Sequence, residues 1–273
     1  MIRYYLGDNM ELKFITNDYV LIWNLVYQPS HSKELNSLKN KLWNNYKDEY
    51  IDTYNEKNMI FSDYKNFIPT NDTIYNIVLE REEFNEKRKE IEKYRKRLLS
   101  TWDQNKNKIN DYLRKTIKIN IIPYEIFLVS KELNIVDMTI NNNKTRGILV
   151  IGKDEENELN ILLNIILFIL RKELEVKEKE LVSRAVIELL VLCELQTRLT
   201  KKSTYFNGSE SLEELKKKIY PYWLMYLGIN KDNFVEYMQR DKIAFNINEY
   251  EYDKNLSRMN IKEFINYIYK KVK

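Results

Sequence analysis

Histidine is almost missing: His31 is the only one in 273 residues. No pair of histidines is available to hold a metal, and a Ser-His-Asp or Cys-His system would have to use His31, which follows Pro29 in a turn between two helical stretches. Cysteine is equally scarce. A single Cys193 excludes an intrachain disulfide, and its place in an apolar helix makes it a packed, inert thiol. Five glycines and four prolines favour long helices over tight turns. Gly147 and Gly152 do not make a phosphate loop, because the spacing is wrong and no Gly-Lys-Ser/Thr comes after them. Long apolar runs are also missing. Ile161 to Leu170 is the longest, contains Asn164, and falls short of the ~20 residues that cross a bilayer. Met1 to Met10 carries Arg3, Asp8 and Asn9 instead of an apolar secretion signal. The expectation is a cytoplasmic protein with no membrane span. Finally, neither sign of charge dominates. Lys and Arg number 45 against 41 Asp and Glu, a net +4, so nucleic acid is not the expected partner.

The chain does have enough apolar material for a core, at 44% of residues, and 21 tyrosines. Residues 11–16 read as a short strand. Asp18 to Tyr27 reads as a helix stopped by Pro29, and Ser32 caps a second helix over about 33–50. Residues 51–69 look polar and irregular, and Thr70 or Asp72 starts the next helical stretch. From about 73 to 116 the chain is highly charged, with Phe84, Ile91, Tyr94, Leu98 and Trp102 spaced seven, three, four and four along one stripe. Within it Lys87 to Arg97 is basic. It reads either as a nucleic-acid patch or as a solvated helix face laced with acid–base pairs.

The pattern changes near Ile117. Ile119 to Val129, Val136 to Ile140 and Gly147 to Gly152 read as three strands, with a turn at Asn141 to Asn143. Two strong helices come next, Glu158 to Leu174 and Glu178 to about Leu199. Leu212 to Ile219, Phe234 to Phe245 and Ile261 to Val272 read as further helices. Pro221 should start or kink a helix, and Gly228 should cap one. The predicted fold is therefore α+β and predominantly helical. A helical N-terminal region, 1–116, precedes a small β-sheet and C-terminal helices packed around a buried central helix, 117–273, either as two domains or as one continuous domain.

That central helix carries the most informative residue. Ala185 to Cys193 is apolar all round except for Glu188, within a stripe of Leu181, Ala185, Leu192, Leu195 and Leu199. A carboxylate there needs a partner. Arg184 is the nearest candidate, making Glu188 structural; the alternative is a carboxylate kept in a cleft with a raised pKa. Glu194, six residues on, points to a different side.

Three strands, a supporting helix and a central apolar helix resemble the zincin metallopeptidase core, over about 117–228. The segment Ile187-Glu188-Leu189-Leu190-Val191 stands where that family carries His-Glu-x-x-His. The resemblance implies that Glu188 matches the general base, and that Ile187 and Val191 replace the zinc ligands. A third ligand would lie among Glu210, Glu213 and Glu214. Isoleucine and valine cannot bind metal, so the expectation is a zinc-free cleft with no cofactor. By the same resemblance Gly147 to Gly152 would be the edge strand receiving an extended peptide, through Gly147, Ile148, Leu149 and Val150. Tyr220, Tyr222, Trp223 and Tyr226 read either as an aromatic wall for a ligand or as core.

Three functional readings are compatible with these features. The first is a non-catalytic, peptidase-like protein that binds a peptide or protein partner. The second is a metal-independent enzyme using Glu188 as acid or base. The third is a helical nucleic-acid-associated protein using Lys87 to Arg97.

Overall fold

A computed structural model describes residues 9–30, 32–130, 138–139, 146–152, 157–202, 208–241 and 250–272. The fold is α+β and predominantly helical, with a small sheet. Two compact units divide the chain. A sheet unit takes Met10–Trp102 and Ile122–Glu158. A helical unit takes Asp103–Ile121 and the described residues from Leu159 onward. They interleave instead of dividing at 116/117, because the N-terminal segment supplies a strand to a sheet whose other strands come after residue 121.

In the sheet unit, β1 (Leu12–Ile15), β2 (Tyr124–Val129) and β4 (Gly147–Gly152) run parallel, and β3 (Met138–Thr139) pairs antiparallel with β4. The order is β1-β2-β4-β3, with Leu12 opposite Tyr124 and Tyr124 opposite Gly147. Every residue of β2 is buried, as a parallel strand covered on both faces requires. The strand starts at Tyr124 and not at Ile119, because the preceding helix continues to Ile117 and Lys118 then turns with a positive φ of 55°. The Asn141 to Asn143 turn lies outside the described residues, as does His31.

The helices α1 (Asp18–Tyr27), α2 (Lys33–Asn45), α3 (Lys47–Asn55), α4 (Lys57–Ser62) and α5 (Thr73–Leu79) complete this unit, with the first part of α6 (Glu82–Ile117). Asn17 caps α1 and Ser32 caps α2 through side-chain acceptors. The polar stretch after residue 50 is helical as far as Ser62, against expectation, and irregular from 63 to 69. Aromatic contacts to α1 decide this. Tyr27 Oη donates to the Tyr50 carbonyl at 2.7 Å and Trp23 Nε1 to that of Tyr54 at 3.3 Å. The Phe61 ring meets Trp23 at 6.3 Å and Phe127 at 5.4 Å. The stripe on α6 is buried from Phe84 to Trp102. Its basic run is laced with pairs: Arg88 with Asp18 at 2.8 Å, Arg95 with Glu92 at 2.6 Å and Arg97 with Glu158 at 2.6 Å.

The helical unit contains the rest of α6, then α7 (Glu158–Leu174, from Leu159), α8 (Glu180–Glu188), a π-helical segment (Leu189–Leu195), α9 (Gln196–Thr200), α10 (Glu213–Tyr226), α11 (Phe234–Asp241) and α12 (Ile261–Val272). From Ala185 to Val191 every side chain is fully buried, and α10 and α12 pack on α8. The single stripe expected along this helix is broken. Leu181 is 61% exposed at the start of α8, and Leu192 is only half-buried within the π segment, where the added residues per turn shift side chains off the α-helical stripe. Helix α10 continues through Pro221, held by the buried Tyr220, Trp223 and Leu224 around it. Gly228, at φ 76°, ends it in a Schellman motif. Its N–H bonds to the Met225 carbonyl and that of Ile229 to the Leu224 carbonyl, each at 3.0 Å.

Two predictions concern the sheet unit. A Cβ on Gly147 would lie 2.2–2.5 Å from the buried Tyr124 ring, which has nowhere to move. Gly147→Ala should therefore destabilise the protein by about 1–3 kcal/mol in denaturant unfolding. The Arg95 hydrogen bond holds the Glu92 carboxyl below its ordinary 4.5, at about 2. A depressed folded pKa means stabilisation that is complete above pH 4.5 and lost as pH falls toward 2. Glu92→Gln should thus lower the melting temperature near neutrality and flatten its decline over that acid window.

Candidate functional site

Glu188 is sealed in the helical unit, at 0% exposure. Its partner is not Arg184. Side chains on a helix lean toward its N-terminus, and Arg184 reaches back one turn to Glu180 at 3.4 Å. Instead Lys216 of α10, itself fully buried, donates to Oε2 at 2.9 Å, and Arg171 of α7 donates to Oε1 at 2.8 Å. The Ser209 hydroxyl reaches Oε1 at 2.8 Å and its backbone N–H reaches Oε2 at 3.1 Å. Both oxygens are therefore engaged, by two cations and two neutral donors. Gly208, at φ 112°, allows this approach: a Cβ there would sit 2.5 Å from Oε2.

The other residues marked in the sequence scatter. Ile148, Leu149 and Val150 are buried in β4, where β3 pairs with Leu149 and Val150, so this strand is not the free edge expected. These strands belong to the sheet unit, whereas Glu188 belongs to the helical unit. Tyr220 is buried and donates to Asp241. Trp223 is buried and stacks on Tyr226, with ring centroids 5.4 Å apart. Tyr222 is half-buried against Tyr250 and Tyr267. Tyr226 lines an open cleft.

That cleft, of about 680 Å³, lies within the helical unit between α6, the π segment with α9, and the turn after α10. Lys108, Tyr112 and Lys115 come from one face of α6, at a spacing of four and three. Glu194 and Arg198 face them from the other helix. Glu194 is almost fully buried and accepts from Arg198 at 2.9 Å. The guanidinium of Arg198 in turn lies 4.9 Å from the Tyr112 ring. Tyr112 Oη donates to the Leu190 carbonyl of the π segment at 3.4 Å. Burial, reinforced by the Glu194 charge, pushes this phenol well above its ordinary pKa, so it stays a neutral donor. Lys118 spans the turn, donating to the Met259 carbonyl at 3.0 Å over the Tyr226 ring.

The charge balance of the cleft is one-sided. Its two carboxylates are both paired, Asp111 with Arg114 at 2.9 Å and Glu194 with Arg198. Lys108 and Lys115 are exposed, and among the described residues neither has a hydrogen bond or ion pair. Sequence reasoning missed both lysines. The available signal was their shared face with Tyr112, masked by the many other lysines of α6. Lys216 was missed too, although it shares the stripe of Leu212, Ile219 and Tyr220. Among the described residues no three His, Cys, Asp or Glu side chains converge on a possible metal position. No helix of the described residues is long and apolar enough to cross a membrane.

Comparison with known proteins gives no match: no family model, no curated protein and no solved structure matches this chain. The zincin resemblance thus rests on the order of elements and Glu188.

Removing one member of the buried pair deprives the other of its fully buried counter-charge. Lys216→Met or Glu188→Gln should each cost about 3–5 kcal/mol in denaturant unfolding, and the double variant should recover part of the loss. Equal and additive losses would show that the two side chains do not support one another.

Proposed function

We propose that this protein is a non-catalytic binding protein that holds an acidic segment of a partner protein in the cleft of the helical unit. The observation that carries this reading is a pair of exposed lysines, Lys108 and Lys115, without an ion pair among the described residues, on a cleft whose own carboxylates are already neutralised. Seven helical residues separate them by roughly 10 Å along the axis, about the span of three residues of extended chain. Acidic side chains two or four positions apart share one face of an extended peptide and, at roughly 7 and 13 Å, bracket that distance within reach of the flexible lysine side chains. Tyr112 and Tyr226 supply ring surface between the charges.

The non-catalytic part of the proposal draws on Glu188. The carboxylate marked as the general-base candidate is fully buried and engaged by Arg171, Ser209 and Lys216, and it does not line the cleft. A base needs a free lone pair within reach of the proton it removes. The basic run of α6 contributes less to partner recognition than its composition suggests, since Arg88, Arg95 and Arg97 are each committed to a carboxylate.

Fluorescence anisotropy with a labelled glutamate-rich peptide tests the proposal. The wild-type chain should bind it with an affinity that falls as salt rises. Lys108→Ala/Lys115→Ala should weaken binding about tenfold without lowering the melting temperature, since both side chains are exposed. Tighter binding of a single-stranded oligonucleotide than of the peptide would overturn the choice of partner. Unchanged peptide binding by the double variant would overturn the site.

A further inference from the structure

The sheet unit carries a second concavity, of about 290 Å³, unrelated to the basic cleft. Its floor is apolar: Leu25 of α1, Leu38 of α2, Val78 of α5 and Phe84 of α6, all buried, with Leu35 half-buried at its side. Its rim is acidic. Glu34, Glu83, Glu86 and Glu90 line it, against Arg81 and Lys87. Glu83 and Glu86 lie three residues apart on one face of α6. Both are exposed, and among the described residues neither has a hydrogen bond or ion pair. Arg81 adds a third feature. Its Nε is buried and has no acceptor among the described residues.

We propose that this pocket docks a basic amphipathic segment of a partner protein. An apolar side chain enters over Leu25, Leu38 and Phe84. A lysine or arginine one turn away meets Glu83 and Glu86, and a backbone carbonyl of the segment supplies the acceptor for Arg81. The three parts are complementary in kind. An apolar floor alone would accept many ligands, but four carboxylates around it select against anionic ones, nucleic acid included. The pocket acts independently of the basic cleft, which would take a partner of opposite charge.

The test uses the full chain and a labelled helical peptide of leucine and lysine at amphipathic spacing, monitored by anisotropy. The peptide should bind, more weakly as salt rises. Glu83→Gln/Glu86→Gln keeps side-chain size and should weaken binding about tenfold, with an unchanged thermal melt. Leu35→Ser should weaken it as well, and Lys108→Ala/Lys115→Ala should leave it unaltered. Three results would overturn the proposal: no binding by the wild-type chain, unchanged binding by the glutamine variant, or equal binding of a lysine peptide that lacks the leucines. The last would reduce the site to a diffuse acidic surface.

Discussion

Glu188 and Lys216 form a salt bridge with neither partner exposed to water, and the helical unit is arranged around it. Removing two charges from water costs several kcal/mol for each, and the interior must return that through geometry. Here it does so with Arg171 from α7 and two donors from Ser209, so one carboxylate links α7, α8, α10 and the loop before α10. The loop comes this close only because residue 208 is a glycine with a positive φ. An all-apolar contact would hold these helices together as strongly, but would fix their register less narrowly. In this protein the pair joins Lys216 of α10 to Glu188 of α8.

The π segment after Glu188 has the opposite role. Widening the helix from Leu189 to Leu195 changes which side chains face inward, burying Glu194 and placing it with Arg198 on the cleft. The same region leaves the Leu190 carbonyl to accept from Tyr112. A π turn is a less favourable backbone than a regular helix, and such segments recur where side chains must be aimed at a site. The cleft owes its form to this local departure, and its charge to two lysines that no described carboxylate neutralises.

The sheet unit depends on a different constraint. β2 lies between two parallel neighbours and is buried along its whole length, with its one charged residue, Glu125, paired to Arg146 and Lys13, and α1 packs on it. Trp23, Phe61 and Phe127 form the joint between α1, α4 and β2. Where β2 meets β4, the ring of Tyr124 occupies the space a side chain at position 147 would need. Gly147 therefore marks a close packing contact.

Much of this was legible in the sequence. The helices of Asp18–Tyr27 and Glu158–Leu174, the strand Gly147–Gly152, the buried stripe of α6 and the apolar core of α8 are written in period, caps and composition, which are local properties. So is the demand that Glu188 have a partner, since one charge among apolar neighbours is visible in a short window. The features that tertiary structure alone decided are non-local. It chose Lys216 and Arg171 over the adjacent Arg184, because burial depends on which elements meet and not on distance along the chain. It made helices of the polar residues from 51 to 62, through aromatic contacts to α1 that no periodicity reveals. It paired the arginines of the basic run, and left Lys108 and Lys115 facing an open cleft. Whether a charge is satisfied is settled by its surroundings in space, and sequence spacing describes those surroundings only within one helix or strand.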